Sequence, residues 1–153
     1  MKKIISTISL CLLLFLVYSC LAKYSKKIKK IEISSINWSI VTKSPIPVGA
    51  LWKKERPEID CDYLNIVEDK EFFSYINEKI ALLSELDEKN NVIDARISML
   101  VYYFDDNKID TLSFGRTNMM KFNSFSYNID VDLLKKISTY LSEVEKLAIE
   151  SEY

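Results

Sequence analysis

The chain has 153 residues, with 21 basic and 22 acidic side chains and no histidine. That length suits one domain able to bury a core without staples, and the missing imidazole excludes Ser-His-Asp and Cys-His nucleophile schemes and the usual zinc sites. Two glycines are too few for a glycine-rich phosphate loop or a dinucleotide fingerprint, so the chain reads as non-enzymatic and needing no cofactor.

The first predicted element is an export segment. Lys2 and Lys3 precede an uncharged, largely apolar run from Ile4 to Tyr18, which stops at Ser19-Cys20. Positive, apolar, small is the order of a secretory signal. Leu16-Val17-Tyr18-Ser19-Cys20 resembles the lipobox of bacterial lipoproteins, with Tyr18 standing where a small or medium residue is usual. The resemblance implies cleavage before Cys20, which would become the acylated N-terminus and tie the chain to a membrane of the cell envelope. It divides the chain into a signal peptide (1–19), an acylated cysteine with a basic tether (20–30) and one domain (31–153). Two alternatives stay open. Cys20 and Ala22 are spaced for an ordinary signal peptidase, giving a secreted product, and Ile4 to Ala22 is 19 residues, near the ~20 of a retained membrane helix.

Charge is unevenly spread. Residues 21–30 hold five lysines and no acid, whereas residues 31–153 hold 14 basic and 22 acidic residues. The tether is a solvated spacer, or lies on anionic headgroups where each lysine adds up to ~1 kcal/mol of membrane affinity. An acidic domain with no groove-reading motif argues against nucleic acid. Of Cys11, Cys20 and Cys61, only Cys61 would remain free in the mature chain, so no internal disulfide is expected.

From Ile28 to Val41 the pattern is β: Ile31 and Ile33 alternate, then Ile36, Trp38 and Ile40, with the phase slipping at Ser34-Ser35 as at a bulge or bend. Pro45, Pro47 and Gly49 break regular structure, and a short extended piece is expected around Ile59 to Leu64. Asp69 is a good N-cap for a helix to about Glu88, with Phe73, Ile76, Ile80 and Leu83 inward and Leu82 and Leu86 widening that face. Val92 to Phe104 alternates through Ala95, Ile97, Met99, Val101 and Tyr103. Its far half is apolar on both parities, which predicts a central strand. Asp105 to Lys108 reads as a hairpin turn into a strand from Ile109 to Arg116, with Gly115 at a bulge or turn. Met120 to Tyr127 is β with an interruption near Asn123-Ser124. Asp130 caps a last helix whose inner face is Leu134, Ile137, Leu141, Val144 and Ala148. The order predicts an α+β fold, a small, mostly antiparallel sheet with two helices packed on one face.

Candidate chemistry is sparse. Asp105, Asp106, Asn107 and Asp110 lack the glycine and distant glutamate of a calcium loop. Glu58, Asp60 and Asp62 share one face of an extended segment, where charges commonly blunt a strand edge. Exposed Trp, Met and Arg are what interfaces use, which makes Trp52 and the pair Met119 and Met120 the candidate interaction surface. The expected function is a membrane-anchored envelope lipoprotein that binds a protein partner as an inhibitor or immunity-like module. The alternative is a small-ligand or glycan sensor using Trp38, Trp52 and the alternating carboxylates. Cys20→Ala is expected to abolish lipid attachment and signal cleavage; a variant with wild-type mass, processing and membrane attachment overturns the lipoprotein reading.

Overall fold

The computed structural model describes residues 27–52, 63–83, 92–104, 107–116 and 118–153. The export segment, Cys20, Glu58, Asp60, Cys61, Asp62, Leu86 and Asp105-Asp106 lie outside them. Six antiparallel strands form one sheet: β1 (Ile28–Ser35), β2 (Tyr63–Val67), β3 (Ala95–Tyr103), β4 (Ile109–Gly115), β5 (Met119–Phe122) and β6 (Phe125–Asn128), in spatial order β2-β1-β3-β4-β5-β6. Three helices accompany it, α1 (Lys70–Leu82), α2 (Val131–Ser138) and α3 (Glu143–Glu152), with a 3-10 turn over Val48–Trp52. The α+β architecture is the expected one, with one helix more.

The extra helix comes from a local signal. Ser142 caps α3 by accepting from the Glu145 amide, while the Glu145 carboxylate accepts from the Ser142 amide. This reciprocal box starts a new helix and rotates the inward face, so Glu145 and Ile149 are buried while Val144 and Leu147 stand in solvent. Helix α1 also departs from expectation. Phe72 and Ile76 are its fully buried residues, with Phe73, Ile80 and Leu83 only half-buried and Leu82 exposed. Phe72 lies against the Tyr140 ring, centroids 4.4 Å apart.

The α1 and α2 caps hold each other. Asp69 accepts from the amides of Glu71 and Phe72 and from the Tyr140 hydroxyl at 2.6 Å. Asp130 accepts from the Leu133 amide and from Lys79 at 2.8 Å. Each helix thus receives at its N-terminus a side chain from the other helix or its C-terminal end, which sets the two antiparallel. A carboxylate in this position satisfies orphan amides and complements the helix dipole.

Two apolar clusters lie on the sheet. The larger joins Ile31, Ile33, Met99, Val101, Leu112, Phe114 and Met120 to Phe72, Ile76, Leu133, Leu134, Ile137 and Ile149, so the helices cover one face. The smaller joins Ile36, Ile46, Ala50, Leu51, Ile93 and Ala95 under residues 36–52. These two clusters account for the phase change in the first strand. Register runs unbroken through Ser34↔Ser98 and Ser35↔Ile97, so no bulge sits there; Ile36 faces the second cluster and Trp38 returns to the first. The irregularity in β1 lies between Ile28 and Lys30. Pairing from Ile28 also brings residues 28–30, expected in the tether, into the sheet. Beyond Ser35 the chain leaves the strand instead of continuing to Val41, Trp38 stands at a turn, and Ile40 and Val41 are exposed.

On β3 a register shift between Ala95 and Ile97 opposite Gly115 and Phe114 marks a bulge at Arg96. It sends Ala95 to the second cluster and leaves Ile97 in the first, correcting the single alternating face expected from Ala95 to Tyr103. The strand is central, as its composition predicted. Asn123-Ser124 proves to be the turn of a β5–β6 hairpin, with Asn123 at φ 54°, a left-handed value that asparagine tolerates. At the bulge a Cβ on Gly115 would stand 2.9 Å from the Asp94 carbonyl oxygen, whereas one on Gly49 would meet nothing within 4 Å. Gly115→Ala is expected to lower stability by about 1–3 kcal/mol through overpacking, and Gly49→Ala to stay within about 1 kcal/mol of wild type; thermal unfolding of the two variants checks the contrast.

Candidate functional site

On the sheet face away from the helices, registered pairing places side chains in rows. Leu64, Ser34, Ser98 and Ser113 form one row across β2, β1, β3 and β4. Ile66, Glu32, Leu100 and Thr111 form the next, followed by Lys30, Tyr102 and Ile109.

Residues 36–52 close over part of the first row. Ser34 donates to the Leu51 carbonyl at 3.0 Å, and the Trp52 indole N–H donates to the Ser98 hydroxyl at 3.0 Å. Ser98 and Ser113 share a hydrogen bond of 2.8 Å. Small side chains let the 3-10 turn approach the sheet, and their hydroxyls satisfy polar groups that burial would otherwise penalise. A second tie runs through Asp94 and Ala95. The Ile46 amide donates to the Asp94 carboxylate and the Ala95 amide to the Ile46 carbonyl, both at 2.9 Å. Asp94 also accepts from the buried Arg96 guanidinium at 2.5 Å. The Ser34, Ser98 and Ser113 hydroxyls are buried and engaged in these bonds.

The rest of this face is open. Leu64 is 61 % exposed, Ile66 55 % and Ile109 44 %, with Leu100 and Tyr102 half-buried between them. A polar triad crosses the middle of the patch. Glu32 accepts from Lys30 at 2.7 Å and from the Tyr102 hydroxyl at 2.8 Å, and the Lys30 ammonium stands 4.5 Å from the centre of the Tyr102 ring. Burial by itself raises the Glu32 carboxyl, but the Lys30 and Tyr102 hydrogen bonds and the Lys30 charge outweigh it and hold the group below its ordinary value. The Tyr102 hydroxyl is pushed up to about 12, first by burial and then by the bond to Glu32 and its charge. At neutral pH Glu32 is therefore a carboxylate and Tyr102 an intact phenol, and with Lys30 they form an arrangement of donors and acceptor framed by apolar side chains.

The sequence-predicted residues divide. Trp52 is half-buried, packed on the second cluster with its N–H engaged, so it pins the covering segment and shows only part of its ring. Met119 is half-buried against the same cluster, whereas Met120 is fully buried among the helices. Adjacent strand residues point to opposite faces, so the pair cannot act as one surface, and Met120 presents nothing to a partner. Trp38 is buried, donates its N–H to Glu152 and lies edge-on to Tyr153, which removes it as a ligand-stacking platform. Cys20 and the alternating carboxylates lie outside the described residues. Among the described residues no three Cys, Asp or Glu side chains gather as a metal site, and no helix is long and apolar enough to cross a membrane.

Sequence reasoning missed the open patch because its members lie on four strands. Leu64-Asn65-Ile66 carried the available signal, an alternation that sends Leu64 and Ile66 away from the helices. No protein-family model, curated protein or solved structure matches the chain.

A carboxyl with a lower pKa folded than unfolded adds stability above its unfolded value, ~4.3 for glutamate, and loses it as pH falls through the folded value. Glu32→Gln is expected to be less stable than wild type at pH 7 by up to about 1 kcal/mol, the scale of a partly exposed pair. The gap should close on acidification through that carboxylate range; urea midpoints across a pH series check it, and a gap that persists unchanged in acid would contradict it.

Proposed function

We propose that the chain is a membrane-anchored envelope lipoprotein, held by an acyl group on Cys20, whose domain is a non-enzymatic module that binds a protein partner. The observation carrying the binding role is the open sheet patch. Leu64, Ile66 and Ile109 leave apolar surface in water around a Lys30–Glu32–Tyr102 centre whose donors and acceptor are already oriented. Contiguous exposed apolar surface rimmed by polar groups marks interaction sites, and a fixed polar centre adds register and selectivity to burial. Edge strand β2 carries two of the apolar residues and pairs on one side only among the described residues, so a partner gains their burial together with access to that edge.

The acidic excess of residues 31–153 favours a partner with a basic face, since complementary potentials speed encounter. An inhibitor or immunity-like role needs that complementarity and no chemistry of its own. The full chain, solubilised from membranes, is expected to capture a stoichiometric protein from an envelope extract. Leu64→Ser combined with Ile66→Ser should lose that protein while keeping the wild-type stability to within the ~0.5 kcal/mol typical of surface changes. Retention of the same protein by the double variant, or sedimentation showing only self-association, would overturn the assignment of the patch.

A further inference from the structure

A second concavity lies on the helix side, where the first residues of β1 and the end of β3 meet the N-terminal half of α1. It is a cleft of ≈ 750 Å³ lined by Lys27, Lys29, Glu68, Lys70, Phe73 and Phe104, among others. Its volume is within the ~300–1,000 Å³ usual for ligand pockets. Three ammonium groups face one carboxylate, and Lys27, Lys29 and Lys70 enter no ion pair among the described residues. The Lys27 ammonium stands 5.0 Å from the centre of the Phe104 ring, and Phe104 is 57 % exposed. Phe73, half-buried on α1, supplies a second aromatic wall.

We infer that this cleft takes the anionic headgroup of a phospholipid in the membrane that carries the anchor, an inference that rests on the reading of Cys20. Charge complementarity comes first, since unpaired lysines around a cleft call for an anion. The aromatic walls add a preference for an amphiphile, because rings beside a charged rim match the boundary between headgroup and acyl chain. Position decides the source. Lys27 follows Cys20 by seven residues, and a chain spans at most ~3.6 Å per residue. An acylated Cys20 therefore keeps the cleft within about 25 Å of the bilayer surface, where headgroups far outnumber soluble anions. Stable attachment by acyl chains generally needs a second signal, and this cleft supplies it while fixing which end of the sheet meets the membrane.

Lys70 separates the cleft from a tether that merely lies on lipid, because it comes from α1 and not from the basic run. The full chain is assembled into nanodiscs of phosphatidylcholine with or without phosphatidylglycerol, and acylation of each lysine by an amine-reactive reagent is followed by mass spectrometry. Lys70, with Lys27 and Lys29, is expected to react several-fold more slowly on anionic discs, while exposed Lys43 and Lys136 react equally on both. Lys70→Gln should weaken the protection of Lys29. Equal reactivity of Lys70 on the two discs overturns the inference, as does equal protection by inorganic phosphate on zwitterionic discs, which would make the cleft a soluble-anion site. Retention on discs in high salt tests the anchor separately. If the chain washes off, the anchor reading fails, and Lys70 protection on anionic discs at low salt still decides the cleft.

Discussion

Pairing of β1 with β3 is the constraint on which the remaining structure depends. Seven registered pairs join Ile28–Ser35 to the longest strand, and β2 then pairs on the outer side of β1. The N-terminal strand thereby lies inside the sheet, with neighbours on both sides. Ile31, Ile33, Met99 and Val101 become the middle of the main core because that register puts them on one face. Since β2 and β3 flank β1, the chain must cross from one side of it to the other, and α1 makes the crossing over the helix-covered face. Its N-terminus arrives beside the start of β1, which assembles the lysine cleft.

The two sheet faces meet different demands. One is sealed by three helices. The other is half-sealed by a segment of 17 residues, 36–52, which supplies Ile36, Ile46, Ala50 and Leu51 to the smaller cluster. Hydrogen bonding does much of the holding: Ser34 to Leu51, Trp52 to Ser98, Ile46 to Asp94 and Ala95 to Ile46. Each such bond contributes modestly in net terms, while leaving its buried partner unmet is expensive. Arg96 carries part of that expense, since its Nε and Nη1 groups are buried without an acceptor among the described residues. The uncovered half of the face keeps Leu64, Ile66 and Ile109 in water, a cost that a binding partner would relieve.

Fold class was legible because periodicity survives in the elements that pack hardest. The alternation of β3 and the Asp69 and Asp130 caps each carry a local signal strong enough to read. The errors arose where one stretch serves two cores. Ile36 and Trp38 belong to different clusters, so a pattern scored against a single buried face looks like a slip. The bulge at Arg96 hides Ala95 in the same way. On α1, Phe72 and Phe73 are adjacent, and composition does not distinguish which ring faces inward; the β2–α1 connection and Tyr140 select Phe72. The open patch and the cleft were illegible for a shared reason. Each gathers residues far apart in the chain: register brings Ile66 beside Glu32, and the packing of α1 brings Lys70 to the cleft that Lys29 lines. Lys27 and Lys29 were visible as charge, but not as the rim of a concavity.

The central placement of β1 also decides how the domain bears load. A force applied at Lys27, as the proposed anchor would apply it, runs along the axis of a strand hydrogen-bonded on both sides, to β2 and to β3. Such tension is shared by two ladders in shear, and many bonds must yield together before the strand slides. An edge strand loaded across its ladder would instead open one bond at a time. If the proposed anchor and partner hold the domain from two sides, the pull between them would run through its most interlocked segment.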